Sequence, residues 1–362
     1  MAQLLEMQQS QFDSFLDCFI EHPTVTTIYE IFDRLRFHFH SHQRISAGAA
    51  ADVPCMLLTG DSGSGKSSLV RHYRQQAQAS PDSQLNVTPV LVTRIPDTPS
   101  LDLTILEMLS TLGHFGTSFR YKASNSLSLT ASLLKALAYK KTELIIINEV
   151  QELFEFKSLK ECTAISNRLK YISEESGIPF VLVGMPWADK ITDDPQWDSR
   201  LIHKQFLPYF NLSSKSDLKE FSRLINGFCL RMGFDVPPKL NDKHTIRALF
   251  SACSGQMRSL KSLLSEALFL ALKDRALTIE LKHLEEAFIF QKPGVSNPFK
   301  MAFEEIPVPK VKEYSGSGPA AKKKKLDGSG KLNHAASTLD EQIIRTQFVD
   351  GLPISQLLKK NS

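Results

Sequence analysis

The stretch Gly60-Asp61-Ser62-Gly63-Ser64-Gly65-Lys66-Ser67 fits the pattern G-x-x-x-x-G-K-[ST], and it constrains the fold more than any other feature of the chain. A loop of this kind works only between a buried strand and a helix. Residues 53–59 (VPCMLLT) read as that strand, and residues 68–74 (SLVRHYR) read as the helix. The glycines let the backbone wrap so that its N–H groups point inward at phosphate oxygens. The helix that follows adds its positive N-terminal end. Lys66 is expected to reach the β- and γ-phosphates of a nucleotide, the Ser67 hydroxyl to hold Mg²⁺, and Ser68 to complete the cradle.

The chain around the loop is ordered as alternating strands and helices. Residues 86–95 read as a second strand, 101–112 and 127–139 as helices, and 143–148 (ELIIIN) as a buried strand with Asn148-Glu149 at its end. A helix is expected to end near residue 175, followed by strands at 178–184 and 205–210. From residue 213 the periodicity is helical, over 215–232, 242–253, 256–273 and 280–290. Strands separated by helices and then a helical group predict an α/β fold, a parallel-sheet core with a C-terminal helical lid. The division is 1–50 as an N-terminal helical extension, 51–212 as the core, 213–291 as the lid, 292–330 as a linker and 331–362 as a tail.

The extension reads as two helices, 3–20 and 25–43. The second ends in Arg36, His38, His40, His42 and Arg44. Alternating histidines spread around a helix instead of sharing one face, so this end reads as a solvated helix end or a contact with a neighbouring subunit, not as a metal site.

With 362 residues and 42% hydrophobic content, the chain can bury a core for two domains. Cys18, Cys55, Cys162, Cys229 and Cys253 form no C-x-x-C pair and read as core thiols of a reducing compartment. No apolar run reaches membrane-spanning length, which leaves no membrane partner in this reading. The net charge is +4, but Lys322 to Lys325 set against Asp327 supply three of these charges, which leaves one for the rest. A nucleic-acid surface would therefore have to be a local patch.

That lysine block lies in residues 316–330, between two Gly-Ser-Gly spacers, and resembles the nuclear-import peptides appended to expressed proteins. A native basic linker is the other reading. Residues 292–314 carry Pro293, Pro298, Pro307 and Pro309 and read as extended. In the tail, Leu339, Ile343, Ile344, Phe348 and Val349 suggest an amphipathic helix, and Ile354, Leu357 and Leu358 a second. It would either dock a partner or pack on its own lid.

With the loop, Asn148-Glu149, Arg200 and the helical lid together, the chain resembles the AAA+ ATPases. Within these it is most similar to the TnsC/TniB regulators of transposition, particularly those of CRISPR-associated transposons. The resemblance covers about residues 25–290. It rests on the phosphate loop, Arg94-Ile95-Pro96-Asp97-Thr98-Pro99, Asn148-Glu149-Val150-Gln151-Glu152-Leu153, Val183-Gly184-Met185-Pro186, Arg200, and Ser254-Gly255-Gln256-Met257-Arg258.

This resemblance implies an ATPase with ATP and Mg²⁺ as cofactors. Lys66 and Ser67 would bind triphosphate and metal, with Asn148 beside the metal. Glu149 would polarise the attacking water. Arg200 looks like an arginine finger for the neighbouring subunit's site, and Arg258 like a second sensor on the lid. Asn148 stands where the family usually has Asp, and the strand ending at Gly184 lacks the polar residue many AAA+ proteins use as first sensor, so slow hydrolysis is expected.

The implied function is an ATP-dependent adaptor that assembles head-to-tail on duplex DNA as a ring or filament. It would connect a target-selection protein of TniQ type, with its RNA-guided complex, to transposase subunits bound through the tail. Arg120, Lys122, Lys157 and Lys160 are the candidate phosphate contacts. An AAA+ remodeller such as a clamp or helicase loader, and a nucleotide switch that never touches DNA, are the rival readings. The expected location is the bacterial cytoplasm, or the nucleus if the lysine block acts as an import signal.

Overall fold

Five short strands form one parallel sheet in the order β2-β3-β4-β1-β5. They are β1 (Met56–Thr59), β2 (Val90–Arg94), β3 (Leu144–Asn148), β4 (Phe180–Gly184) and β5 (His203–Phe206). The computed structural model describes residues 2–45, 53–78, 87–96, 100–113, 126–155 and 159–311, all within one unit of the chain. β3 and β4 are apolar and buried along almost their whole length, as strands covered on both faces must be. β5 lies at an edge, and its residues alternate between half-buried and exposed.

Side-chain alternation along the strands feeds two cores. Met56, Leu58, Ile146 and Val181 face α2 (Pro23–Ile45) and α3 (Lys66–Gln78), where they meet Ile28, Phe32, Leu35, Leu69 and Val70. Leu57, Ile145, Ile147 and Leu182 face the opposite way, toward α4 (Leu101–Thr111), α5 (Ser126–Tyr139) and α7 (Leu159–Ser176). A one-turn helix, α6 (Glu152–Glu155), precedes α7, and another, α8 (Pro195–Asp198), follows a 3₁₀ segment at Pro186–Asp193. The pairing is parallel throughout, with Leu57 opposite Leu182 and Lys204. All strands therefore end at one edge of the sheet, where the loops after β1, β3 and β4 gather.

The lid consists of α9 (Lys215–Arg231), α10 (Lys243–Cys253), α11 (Met257–Lys273) and α12 (Leu281–Gln291). Ser214 and Asp217 form a capping box at the start of α9, and the Asp242 side chain caps α10, each worth on the order of 1 kcal/mol. Phe221, Leu249, Phe250, Leu264, Leu268 and Phe288 fill the lid's own core.

The N-terminal extension is divided between these bodies. α1 (Ala2–Asp17) inserts Phe15 into the lid core, and the Lys261 ammonium caps its end by donating to the carbonyls of Leu16 and Cys18 at 2.7 and 2.6 Å. α2 packs on the sheet, and there Arg36 donates two hydrogen bonds to Glu143 at 2.9 and 2.7 Å. The Arg36 end of the histidine-rich stretch is thus an intrachain contact.

Two sequence expectations are corrected. The last strand covers residues 203–206, not 205–210, because Pro208 has no N–H to continue a ladder. The stretch 292–311 is packed, not an extended linker. Phe299 and Ile306 are buried in the lid core, Asn297 caps a short 3₁₀ turn, and Arg247 donates to the carbonyl of Ile306 at 3.0 Å. Proline content pointed to an open chain, but two large apolar side chains outweigh it. The lysine block and the tail lie outside the described residues. The five cysteines are free thiols, four of them buried. No described helix is long and apolar enough to cross a membrane.

Candidate functional site

The loop after β1 is shaped by residues that tolerate no side chain. A Cβ on Gly60 would sit 2.7 Å from the carbonyl oxygen of Leu207, and Gly65 has φ +107°, a backbone open to glycine alone at little cost. The carbonyls of this loop are individually tied down. Lys66 Nζ donates to the oxygens of Gly60 and Asp61 at 2.6 and 2.9 Å. The Tyr209 hydroxyl donates to the oxygen of Ser62 at 2.5 Å, and the backbone N–H of Arg258 donates to the oxygen of Gly63 at 3.1 Å. With its carbonyls held from behind, the loop can turn N–H groups toward an anion. Ser67 and Ser68 are exposed in the first turn of α3, and the buried Ser64 hydroxyl has no partner among the described residues.

Burial pushes the Lys66 ammonium down to about 8. Arg258 acts in the same direction, while Glu149 and Asp61 oppose it. Two carboxylates and two cations therefore lie near one another at the loop. A lysine strained by desolvation in its free state gains from an anion arriving there.

Asn148 ends β3, and its side-chain oxygen is buried without a partner among the described residues. A buried acceptor left alone costs about 1–3 kcal/mol. A magnesium ion carrying water ligands would supply the missing donor, so the residues present fit the metal. Glu149 follows with φ +58°, a left-handed backbone that is uncommon for a side-chain-bearing residue and that marks functional sites. This bend lets the N–H of Val150 donate to the carbonyl of Val183 on β4 at 3.1 Å. The Glu149 carboxylate accepts a hydrogen bond from Gln151 Nε2 at 2.6 Å, and Gln151 Oε1 accepts from the backbone N–H of Met185 at 3.0 Å.

Arg258 lies in the first turn of α11, and its Cβ is 3.4 Å from the position a Cβ on Gly63 would take. Ser254 and Gly255, both at positive φ, bend the chain so that Gly255 accepts from the N–H of Phe210 at 3.0 Å. A Cβ on Gly255 would lie 2.0 Å from the Phe210 oxygen. Beside this contact, at the hinge segment 207–214 that joins β5 to the lid, is a cavity of about 240 Å³ bounded by His22, Asp61, Phe206, Tyr209 and Asn211. Burial pushes the His22 imidazole down to about 4, so it is neutral there.

Arg200 is elsewhere. Its carbonyl accepts from the N–H of Cys55, just before β1, so it sits at the sheet edge opposite the loop. Its guanidinium pairs with Glu174 of the same chain and is largely buried. Lys160 is exposed in the first turn of α7, while Arg120, Lys122 and Lys157 lie outside the described residues.

The structure thus brings Gly60 to Ser68, Asn148, Glu149 and Arg258 to one edge, and puts Arg200 at the other. Sequence reasoning gave no role to Gln151 or Tyr209. Gln151 lay inside a quoted segment, but nothing local signals a bond to β4, and the Tyr209 bond spans 147 residues.

A family model described as Bacterial TniB protein matches residues 17–211. Among curated proteins no match is found. Among solved structures, the chain is similar to the ORC2 protein of Aeropyrum pernix in ADPNP–ADP complexes, with TM-score 0.56 and 15% identity over 78% of this chain and 72% of that one. It is also similar to Cdc6p from Pyrobaculum aerophilum, with TM-score 0.52 and 12% identity over 78% and 72%. The Aeropyrum pernix ORC1 protein in complex with DNA gives TM-score 0.51 and 16% identity over 70% and 63%.

Proposed function

The chain belongs to the bacterial TniB family and has the α/β AAA+ fold of the ORC and Cdc6 proteins, and from this premise we propose that it is an ATP-hydrolysing regulator of DNA transposition that assembles on duplex target DNA. The observation that carries the reading is the convergence of the glycine loop, Lys66, Asn148 and Glu149 at one sheet edge under the lid residue Arg258.

Each residue has a task in this reading. Lys66 exchanges its contacts to Gly60 and Asp61 for oxygens of the β- and γ-phosphates. The N–H groups at the start of α3 hold the same oxygens, and Arg258 meets the γ-phosphate from the lid. Ser67 and Asn148 would hold magnesium. When bound, the metal neutralises charge on the phosphates and orients them for in-line attack. Glu149 orients the attacking water and takes its proton. The cavity lined by His22, Asp61 and Tyr209 would take the base. Asn148 gives less charge than Asp would at this point, so turnover is slow.

Arg200 supports assembly. A residue at the edge opposite its own loop cannot reach that loop's nucleotide, so as a finger it would serve another subunit's, and such a head-to-tail contact would build a ring or filament. Leaving Glu174 for a neighbour's phosphate would make assembly depend on ATP. Lys160, with Arg120, Lys122 and Lys157, would contact DNA phosphates without reading bases. The tail, 331–362, would engage transposase subunits, and the coat would be placed by a TniQ-type target-selection protein with its RNA-guided complex. Electron microscopy of the protein with duplex DNA, with and without ATP, tests this. Rings or filaments that require both support the reading. Nucleotide binding without any DNA-dependent assembly overturns it in favour of a switch that does not bind DNA.

A further inference from the structure

Gly184 ends β4 without a side chain. A Cβ there would lie 2.8 Å from Gln151 Oε1 and 2.7 Å from the Ala188 Cβ. The position is not merely empty of a polar group: the amide of Gln151, carried over from the end of β3, fills the space. Gln151 is 3% exposed, and its partners fix which way the amide points. Met185 N–H can only donate and the Glu149 carboxylate can only accept, so a flipped amide would oppose like to like at both ends. One side chain thus ties the end of β4 to the carboxylate that follows β3, across a backbone already bent at Glu149.

We propose that Gln151 is the positioning residue of Glu149, supplying from β3 the polar contact that β4 lacks at Gly184. Its N–H fixes one carboxylate oxygen and leaves the other for water. Its carbonyl oxygen makes that orientation follow the backbone at Met185, where the 3₁₀ segment Pro186–Asp193 begins. The amide's contacts are to Glu149 and Met185. This inference rests on Glu149 being the hydrolytic carboxylate.

The test is single-turnover ATP hydrolysis and nucleotide binding by the full chain with duplex DNA. Gln151→Glu is nearly isosteric and keeps an acceptor for Met185, but removes the donor to Glu149 and sets a second carboxylate against it. Gln151→Met removes both contacts at similar volume. Both variants should lower the hydrolysis rate about tenfold or more while the ATP dissociation constant stays near the parent's; the melting temperature falls with the lost buried contacts, so rates are compared below it. In a Glu149→Gln background, Gln151→Met should change the rate no further. Parental rates in both Gln151 variants, an equal loss in the Glu149→Gln background, or a loss matched by weaker ATP binding would each overturn the inference. If Glu149→Gln alone hydrolyses at the parental rate, the assignment of Glu149 fails, and that result is distinct from the others. Should Gln151→Met not fold, Gln151→Glu decides the matter alone through its rate at parental ATP affinity.

Discussion

The backbone N–H of Arg258 donates to the carbonyl of Gly63, so the lid is bonded to the glycine loop through main chain and not only through side chains that reach a nucleotide. Tyr209, at the hinge, adds a second bond at the neighbouring carbonyl of Ser62 and itself accepts from Gln256 of the lid at 3.3 Å. Any change in loop shape is therefore felt by the lid directly.

Removing the Tyr209 hydroxyl should weaken that connection. Tyr209→Phe keeps the ring against the cavity and loses hydrogen bonding worth about 0.5–1.5 kcal/mol. ATP affinity is expected to fall roughly 2- to 10-fold with the fold intact, as read by titration with a fluorescent nucleotide. An unchanged affinity would show that the hydroxyl is incidental to binding.

Lys66→Ala should raise the ATP dissociation constant about a hundredfold, the scale of losing charge-assisted hydrogen bonds to phosphate. Parental binding by this variant would remove the phosphate-loop assignment altogether.

Asn148→Asp restores a negative charge where the orphaned oxygen now lies. Hydrolysis in a single turnover at saturating Mg²⁺ should rise by about an order of magnitude, and assemblies on DNA should shorten in lifetime. Equal rates would mean that the amide orients a metal-bound water as well as a carboxylate does.

Replacing Arg120, Lys122, Lys157 and Lys160 together by Ala should weaken duplex binding uniformly across sequences. Each lost phosphate contact lowers the salt slope by about one. A slope equal to the parent's would put the DNA surface elsewhere.

His22 makes stability depend on pH. Its folded value, about 4, lies below the ordinary 6.5 because burial disfavours the cation. Between these values the unfolded chain holds the extra proton, so stability drops as pH falls from 6.5 toward 4, by at most about 1.4 kcal/mol per pH unit. His22→Gln should lose less between pH 7 and pH 4.5 in urea unfolding. Equal losses would assign the acid sensitivity to other groups.

Much of this was legible because the signals are local. The loop motif demands a strand before it and a helix after it, and the runs 144–147 and 180–183 are apolar enough to be central strands. The lid helices announce themselves through caps such as Ser214 and Asp242. What was not legible depends on distant partners. Phe299 and Ile306 pull a proline-rich stretch onto the lid. Glu174 engages Arg200 from α7. Gln151 has its meaning only once β3 and β4 lie side by side. Spacing along the chain carries no trace of these contacts.

Because α1 is anchored in the lid and α2 on the sheet, the peptide joining them crosses between the two bodies, as the hinge after β5 also does. Any displacement of the lid relative to the sheet must therefore be taken up by two chain crossings at once, and by the backbone bonds that Gly63 and Phe210 make to the lid. In an assembly of many copies, each subunit would carry the same pair of crossings.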